Sequence, residues 1–125
     1  MLYGIQSPLT NAFIIKQNTY AVLPPNIPMI SDNGRYSFIF QNNGDLVLYD
    51  QFTAVWNSNT CNNIPRPNRC IMQSDGNLVL YHNNTPIWTH NKISDINQAP
   101  YTYIIQSDGN FVIYDKHGSV VWITD

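Results

Sequence analysis

Five residue types recur at one fixed spacing: Gln73, Asp75, Asn77, Val79 and Tyr81, then Gln106, Asp108, Asn110, Val112 and Tyr114. A third copy, Gln41, Asn43, Asp45, Val47 and Tyr49, keeps the spacing but exchanges the acid and the amide. Each intact set combines a carboxylate that accepts, two amides that donate and accept, a phenol and a small apolar side chain. That inventory suits vicinal hydroxyls, each of which donates one hydrogen bond and accepts another. The valine adds contact for a C–H face. Taken singly, every residue has an ordinary explanation: Asp-Gly is a turn, and Val and Tyr are strand formers. Turn formation accounts for neither the Gln two residues before the Asp nor the Tyr six after it. No set pairs a nucleophile with a base or brings two carboxylates together, so the pattern describes a site that binds without reacting.

The elements that must carry these side chains repeat with them. Gln41 and Gln73 are 32 residues apart, Gln73 and Gln106 are 33 apart, and a tryptophan follows each tyrosine after seven, seven and eight residues, at Trp56, Trp88 and Trp122. Such a period marks one supersecondary unit used three times. "YSFIFQ", "RCIMQ" and "YTYIIQ" lead in, "LVLYD", "LVLYH" and "FVIYD" follow, and "AVW", "PIW" and "VVW" close. All are β-branched or aromatic runs without a helical period. The Asn-Gly or Asp-Gly step between the first two runs suits a tight hairpin turn with positive φ. Alternation then puts Leu78 and Leu80, with Met72, on one face, and Asn77, Val79 and Tyr81 on the other. No single sheet can bury its apolar face alone, so an all-β fold of three sheets around a pseudo-threefold axis is expected, with the three tryptophans at its shared centre.

The totals narrow the function further. At 125 residues the chain is one domain, and with 11% charged residues and a formal net charge of -2 it carries no footprint for nucleic acid or an anionic membrane. No apolar run is long enough to cross a bilayer, so membrane insertion is not expected. No signal peptide is legible in "MLYGIQSPLTNAF", which leaves both a secreted and a cytosolic location open. Cys61 and Cys70 flank a Pro-rich loop, and a local disulfide is expected to close it; two free thiols in a reducing compartment are the alternative. His82, His90 and His117 fall in or near turns with no two at ligand spacing, so they read as surface residues, and neither metal nor cofactor is expected.

The pattern Q-x-D-x-N-x-V-x-Y, unbroken at 73–81 and 106–114, resembles the mannose-binding signature of the bulb-type lectins. "NGRY" at 33–36 and "VWNSNT" at 55–60 support the likeness, which covers roughly residues 20–125. The resemblance implies a β-prism II of three four-stranded antiparallel sheets, with a sugar site in each repeat. It implies that Asp75 and Asn77 bind the axial 2-hydroxyl of mannose, Gln73 the 3-hydroxyl and Tyr81 the 4-hydroxyl, while Val79 packs on the ring. Gln106, Asp108, Asn110, Val112 and Tyr114 would repeat those roles. In the copy of Gln41, Asn43, Asp45, Val47 and Tyr49, a ligand hydroxyl would meet an acceptor in place of a donor. Such a mispaired bond costs about 1–3 kcal/mol, enough to silence a weak site.

Residues 1–19 precede the resemblance and are expected to be an N-terminal extension, in which "AFIIK" forms an added strand on a sheet edge or a dimer contact. The family's habit of exchanging C-terminal strands implies a homodimer. The expected function is a non-catalytic lectin for mannose-rich glycans. The alternatives are the same fold used for protein contact, with vestigial sugar sites, and a mannose-targeted toxin or bacteriocin-like protein.

Overall fold

The computed structural model describes residues 10–90 and 95–125. The first half of the expected N-terminal extension, residues 1–9, lies outside them. Twelve strands follow in order among the described residues: β1 Ala12–Ile15, β2 Tyr20–Val22, β3 Met29–Ile30, β4 Tyr36–Phe40, β5 Leu46–Asp50, β6 Thr53–Asn57, β7 Arg69–Gln73, β8 Leu78–His82, β9 Thr85–Thr89, β10 Tyr101–Ile105, β11 Phe111–Tyr114 and β12 Val120–Ile123. They form three four-stranded antiparallel sheets, β3-β4-β5-β6, β2-β7-β8-β9 and β1-β10-β11-β12. The fold is a β-prism II, one sheet per repeat.

Each repeat supplies three consecutive strands, as its three apolar runs require. The fourth strand of every sheet comes from the first thirty residues, dealt out in reverse order: β1 to the last repeat, β2 to the middle one and β3 to the first. The run "AFII" is thus β1, paired with β10 from Ala12↔Ile104 to Ile15↔Tyr101. At the other end β12 pairs with β11 of its own chain.

Alternation sorts the side chains as the pleat demands. Met72 pairs with Leu78 and Cys70 with Leu80 in register, and all four are fully buried. Phe38, Phe40, Leu46, Phe111 and Ile113 bring the same inward face from the other sheets. The Phe38 and Phe111 rings stack at 3.9 Å between centroids across two repeats. Trp56, Trp88 and Trp122 do meet one another, edge to face, with centroids 5.5–6.2 Å apart. They are only half-buried, however, and pack against the core while smaller side chains fill its middle.

Cys61 and Cys70, expected to close their loop, are both free thiols. The cause lies in the register. Cys70 stands three residues before Gln73, where Phe38 and Tyr103 stand before Gln41 and Gln106. It is therefore a core residue, with no exposed surface and a thiol pushed far above its usual range by burial. Cys61 instead lies beside the Asp45 carboxylate, whose hydrogen bond raises its pKa.

Candidate functional site

Each five-residue set is organised by one hairpin turn. In the middle repeat the Gln73 N–H donates to the Asn77 carbonyl (3.0 Å) and the Gly76 N–H to the Gln73 carbonyl (3.2 Å). Gly76 has φ +87°, completing a three-residue loop with the positive-φ residue last. The last repeat reproduces both bonds at 2.9 and 3.1 Å with Gly109 at φ +95°, and the first does so around Gly44. A β-bulge then interrupts each second hairpin immediately before the site tyrosine, at Leu48/Tyr49, Leu80/Tyr81 and Ile113/Tyr114. Bulges re-aim side chains, and these three precede Tyr49, Tyr81 and Tyr114.

The polar side chains at 73–81 form one directed chain of hydrogen bonds. The Tyr81 hydroxyl donates to Gln73 Oε1 (2.5 Å), and Gln73 Nε2 donates to Asp75 Oδ1 (3.2 Å). Asp75 also accepts the Asn77 backbone N–H (3.0 Å) and its Nδ2 (3.2 Å). With the tyrosine proton committed to the glutamine, the phenol oxygen can accept from a ligand. The second hydrogen of Gln73 Nε2 can donate, and the carboxylate can accept. At 106–114 the chain runs the same way: Tyr114 Oη to Gln106 Oε1 at 2.6 Å, Gln106 Nε2 to Asp108 at 3.2 Å, and the Asn110 N–H to Asp108 Oδ1 at 3.0 Å.

The first copy runs backwards. Asn43 keeps the turn bond, accepting the Asp45 N–H at 3.0 Å, but it offers Gln41 no carboxylate. The Gln41 amide is reversed, so that its Nε2 donates to the Tyr49 hydroxyl. An acceptor now stands where the other copies present a donor. Asp45 has been recruited elsewhere: its Oδ1 accepts the backbone N–H groups of Thr60 (2.8 Å) and Cys61 (2.9 Å). This carboxylate pins the loop that follows "VWNS" and holds that loop against the turn.

Val47 and Val79 are 4% and 5% exposed, and Val112 is fully covered. Alternation sets each on the same strand face as the tyrosine of its set.

Two residues outside the repeated pattern shape the middle site. The buried Tyr103 reaches across from β10: its one hydroxyl proton is shared between the carbonyls of Gln73 (2.7 Å) and Asn77 (3.0 Å), and its oxygen accepts the Gln73 N–H (3.1 Å). His90, expected on the surface, is half-buried against Trp122, and its Nδ1 accepts the Leu78 N–H at 3.2 Å. Burial depresses its pKa to about 4. Ser58 and Thr124 perform that same duty for Leu46 and Phe111, both at 3.0 Å. All three acceptors lie two residues after a repeat's tryptophan, a regularity visible in "WNS", "WTH" and "WIT".

Three four-stranded sheets about a common core, each carrying the same polar hairpin turn, define a lectin-type β-prism. No protein-family model matches the sequence, and no curated protein matches it; solved structures do. A lectin from Marasmius oreades is 30% identical, with 94% of this chain and 92% of that one aligned and a TM-score of 0.78. A monomeric monocot mannose-binding lectin from Gastrodia elata is 34% identical over 92% and 95% of the two chains, with a TM-score of 0.74. The mannose-specific agglutinin of snowdrop, Galanthus nivalis, solved with methyl-α-D-mannoside, is 32% identical over 90% and 93%, at 0.65. The chain belongs to the bulb-type mannose-binding lectin family.

Proposed function

We propose that this protein is a non-catalytic lectin for terminal mannose, with working sites at Gln73–Tyr81 and Gln106–Tyr114 and a silent one at Gln41–Tyr49. The observation that carries this reading is the identical Tyr→Gln→Asp hydrogen-bond direction in two turns, and its reversal in the third. A preset direction tells each ligand hydroxyl whether to donate or accept, as distinguishing an axial from an equatorial hydroxyl demands. With four or five polar contacts per site and little open apolar surface, single-site affinity is expected to be about millimolar. Two sites per chain then supply avidity on clustered glycans through effective concentration.

Calorimetric titration with methyl α-mannoside, with the glucoside as control, tests the reading. Saturable heat with mannoside alone, at a stoichiometry near two, is the expected result, and Asp75→Asn with Asp108→Asn should abolish it. Silence with both sugars from a folded sample would overturn the reading and favour the same fold used for protein contact.

A further inference from the structure

The two intact sites share the Tyr–Gln–Asp hydrogen-bond chain but not their surroundings. Tyr20 on β2 pairs with Gln73 in register, so both side chains stand on the same face of the sheet. The phenol is 64% exposed and flanks Gln73 on the side away from Tyr81. Beyond it, Ile96 sits in a short 3-10 turn anchored at three points. Gln17 Nε2 donates to the Ile96 carbonyl (3.2 Å), the Asp95 N–H to the Asp75 carbonyl (3.2 Å), and the Tyr101 hydroxyl to the Asp95 carbonyl (2.7 Å). Tyr20, Ile71, Ser74 and Ile96, with Gln73 and Asp75, line a cavity of about 380 Å³.

That volume lies at the small end of ligand pockets, which span about 300–1,000 Å³, and suits a single sugar ring. Its walls have the matching chemistry: an aromatic face and two isoleucines for the C–H face of a pyranose, and the Ser74 hydroxyl for its rim. Among the described residues the other turns lack the platform. Continuing the β1–β10 register by two residues places Thr10 beside Gln106, and in the first repeat Asn26 occupies this place, its Oδ1 accepting the Asn42 N–H.

We propose that this cavity is a subsite for the second ring of a mannose-terminated disaccharide whose terminal ring lies on Gln73–Tyr81. The middle site then reads two sugar rings. This rests on the mannose reading of the site, and the two stand or fall by different measurements.

The test uses the full chain carrying Asp108→Asn, so that only the middle site titrates. Methyl α-mannoside and a panel of α-linked mannobiosides are titrated into that protein and into its Tyr20→Ala and Tyr20→Phe derivatives. At least one disaccharide should bind about three- to tenfold tighter than the monosaccharide. Tyr20→Ala should lose that gain while keeping its affinity for methyl mannoside, and Tyr20→Phe should retain the gain. A panel that never exceeds methyl mannoside, or a gain that survives Tyr20→Ala, overturns the subsite and leaves the mannose reading intact. No binding of any of these sugars overturns the mannose reading and the subsite with it.

Discussion

In the first turn an acid and an amide have traded places, and the hydrogen bonds around them differ accordingly. In the two intact sets the acid at the turn's centre collects the glutamine amide and the following backbone N–H, so the donors are oriented from it. With Asn43 in that place the orienting charge is gone, and Asp45 is held by Thr60 and Cys61. Restoring the order tests this account directly. Asn43→Asp with Asp45→Asn should raise the mannoside stoichiometry from near two to near three, because an amide oxygen at 45 can still accept the two loop N–H groups. A stoichiometry that stays near two, in a protein of unchanged thermal stability, would mean that something other than hydrogen-bond direction silences the first copy.

At the scale of the element, each site hangs on a hairpin whose strand must also be satisfied from behind. The backbone N–H that opens β5, β8 or β11 is taken by Ser58, His90 or Thr124. A hydroxyl does this at any pH, but an imidazole does it only while Nδ1 is unprotonated. The folded state holds His90 at about 4 against 6.5 for the free side chain, so the unfolded chain binds the extra proton between those values. Stability from this residue is therefore complete above pH 6.5 and is lost as the pH falls towards 4. Asp75 is the charged neighbour that opposes the shift. Urea unfolding across this window should show a falling midpoint in the native protein and a flatter one in His90→Thr. Equal slopes in the two proteins would remove His90 from the acid response.

The whole molecule is a ring of three turns, each braced by the segment that leads into the next repeat. Gly76 lies under Tyr101, and Gly109 under Tyr36. The turn at Gly44 is held by Thr60, whose hydroxyl donates to the Gly44 carbonyl, and Asn33 makes two bonds to Ser107. The proposed sugar sites thus sit on the seams between sheets. A Cβ at Gly76 would lie 2.7 Å from the Tyr101 ring, in a backbone conformation that L residues avoid. Gly76→Ala should cost about 2–4 kcal/mol and weaken the middle site, the sum of backbone strain and overpacking. Gly118→Ala, also at positive φ but facing open space, should cost about 1 kcal/mol and leave binding unchanged. Similar losses in thermal denaturation of the two variants would show that the seam is not close-packed.

The sequence by itself determined the three strands of each repeat, the threefold plan and the polar letters of each turn. All three follow from local rules: alternation at period two, Gly at a positive-φ turn, and one spacing written three times. Tertiary structure alone decided the rest, because it depends on what meets across the seams. The first thirty residues show no repeat, and only the assembled prism reveals that they supply one edge strand to each sheet. Cys70 reads as half of a disulfide until its register places it in the core beside Leu80. Tyr20 is an unremarked aromatic in the chain, far in sequence from Gln73, until β2 pairs with β7 and sets the two side by side. Spacing along the chain can specify a motif, but the neighbours that tune it are chosen by strand pairing between distant segments.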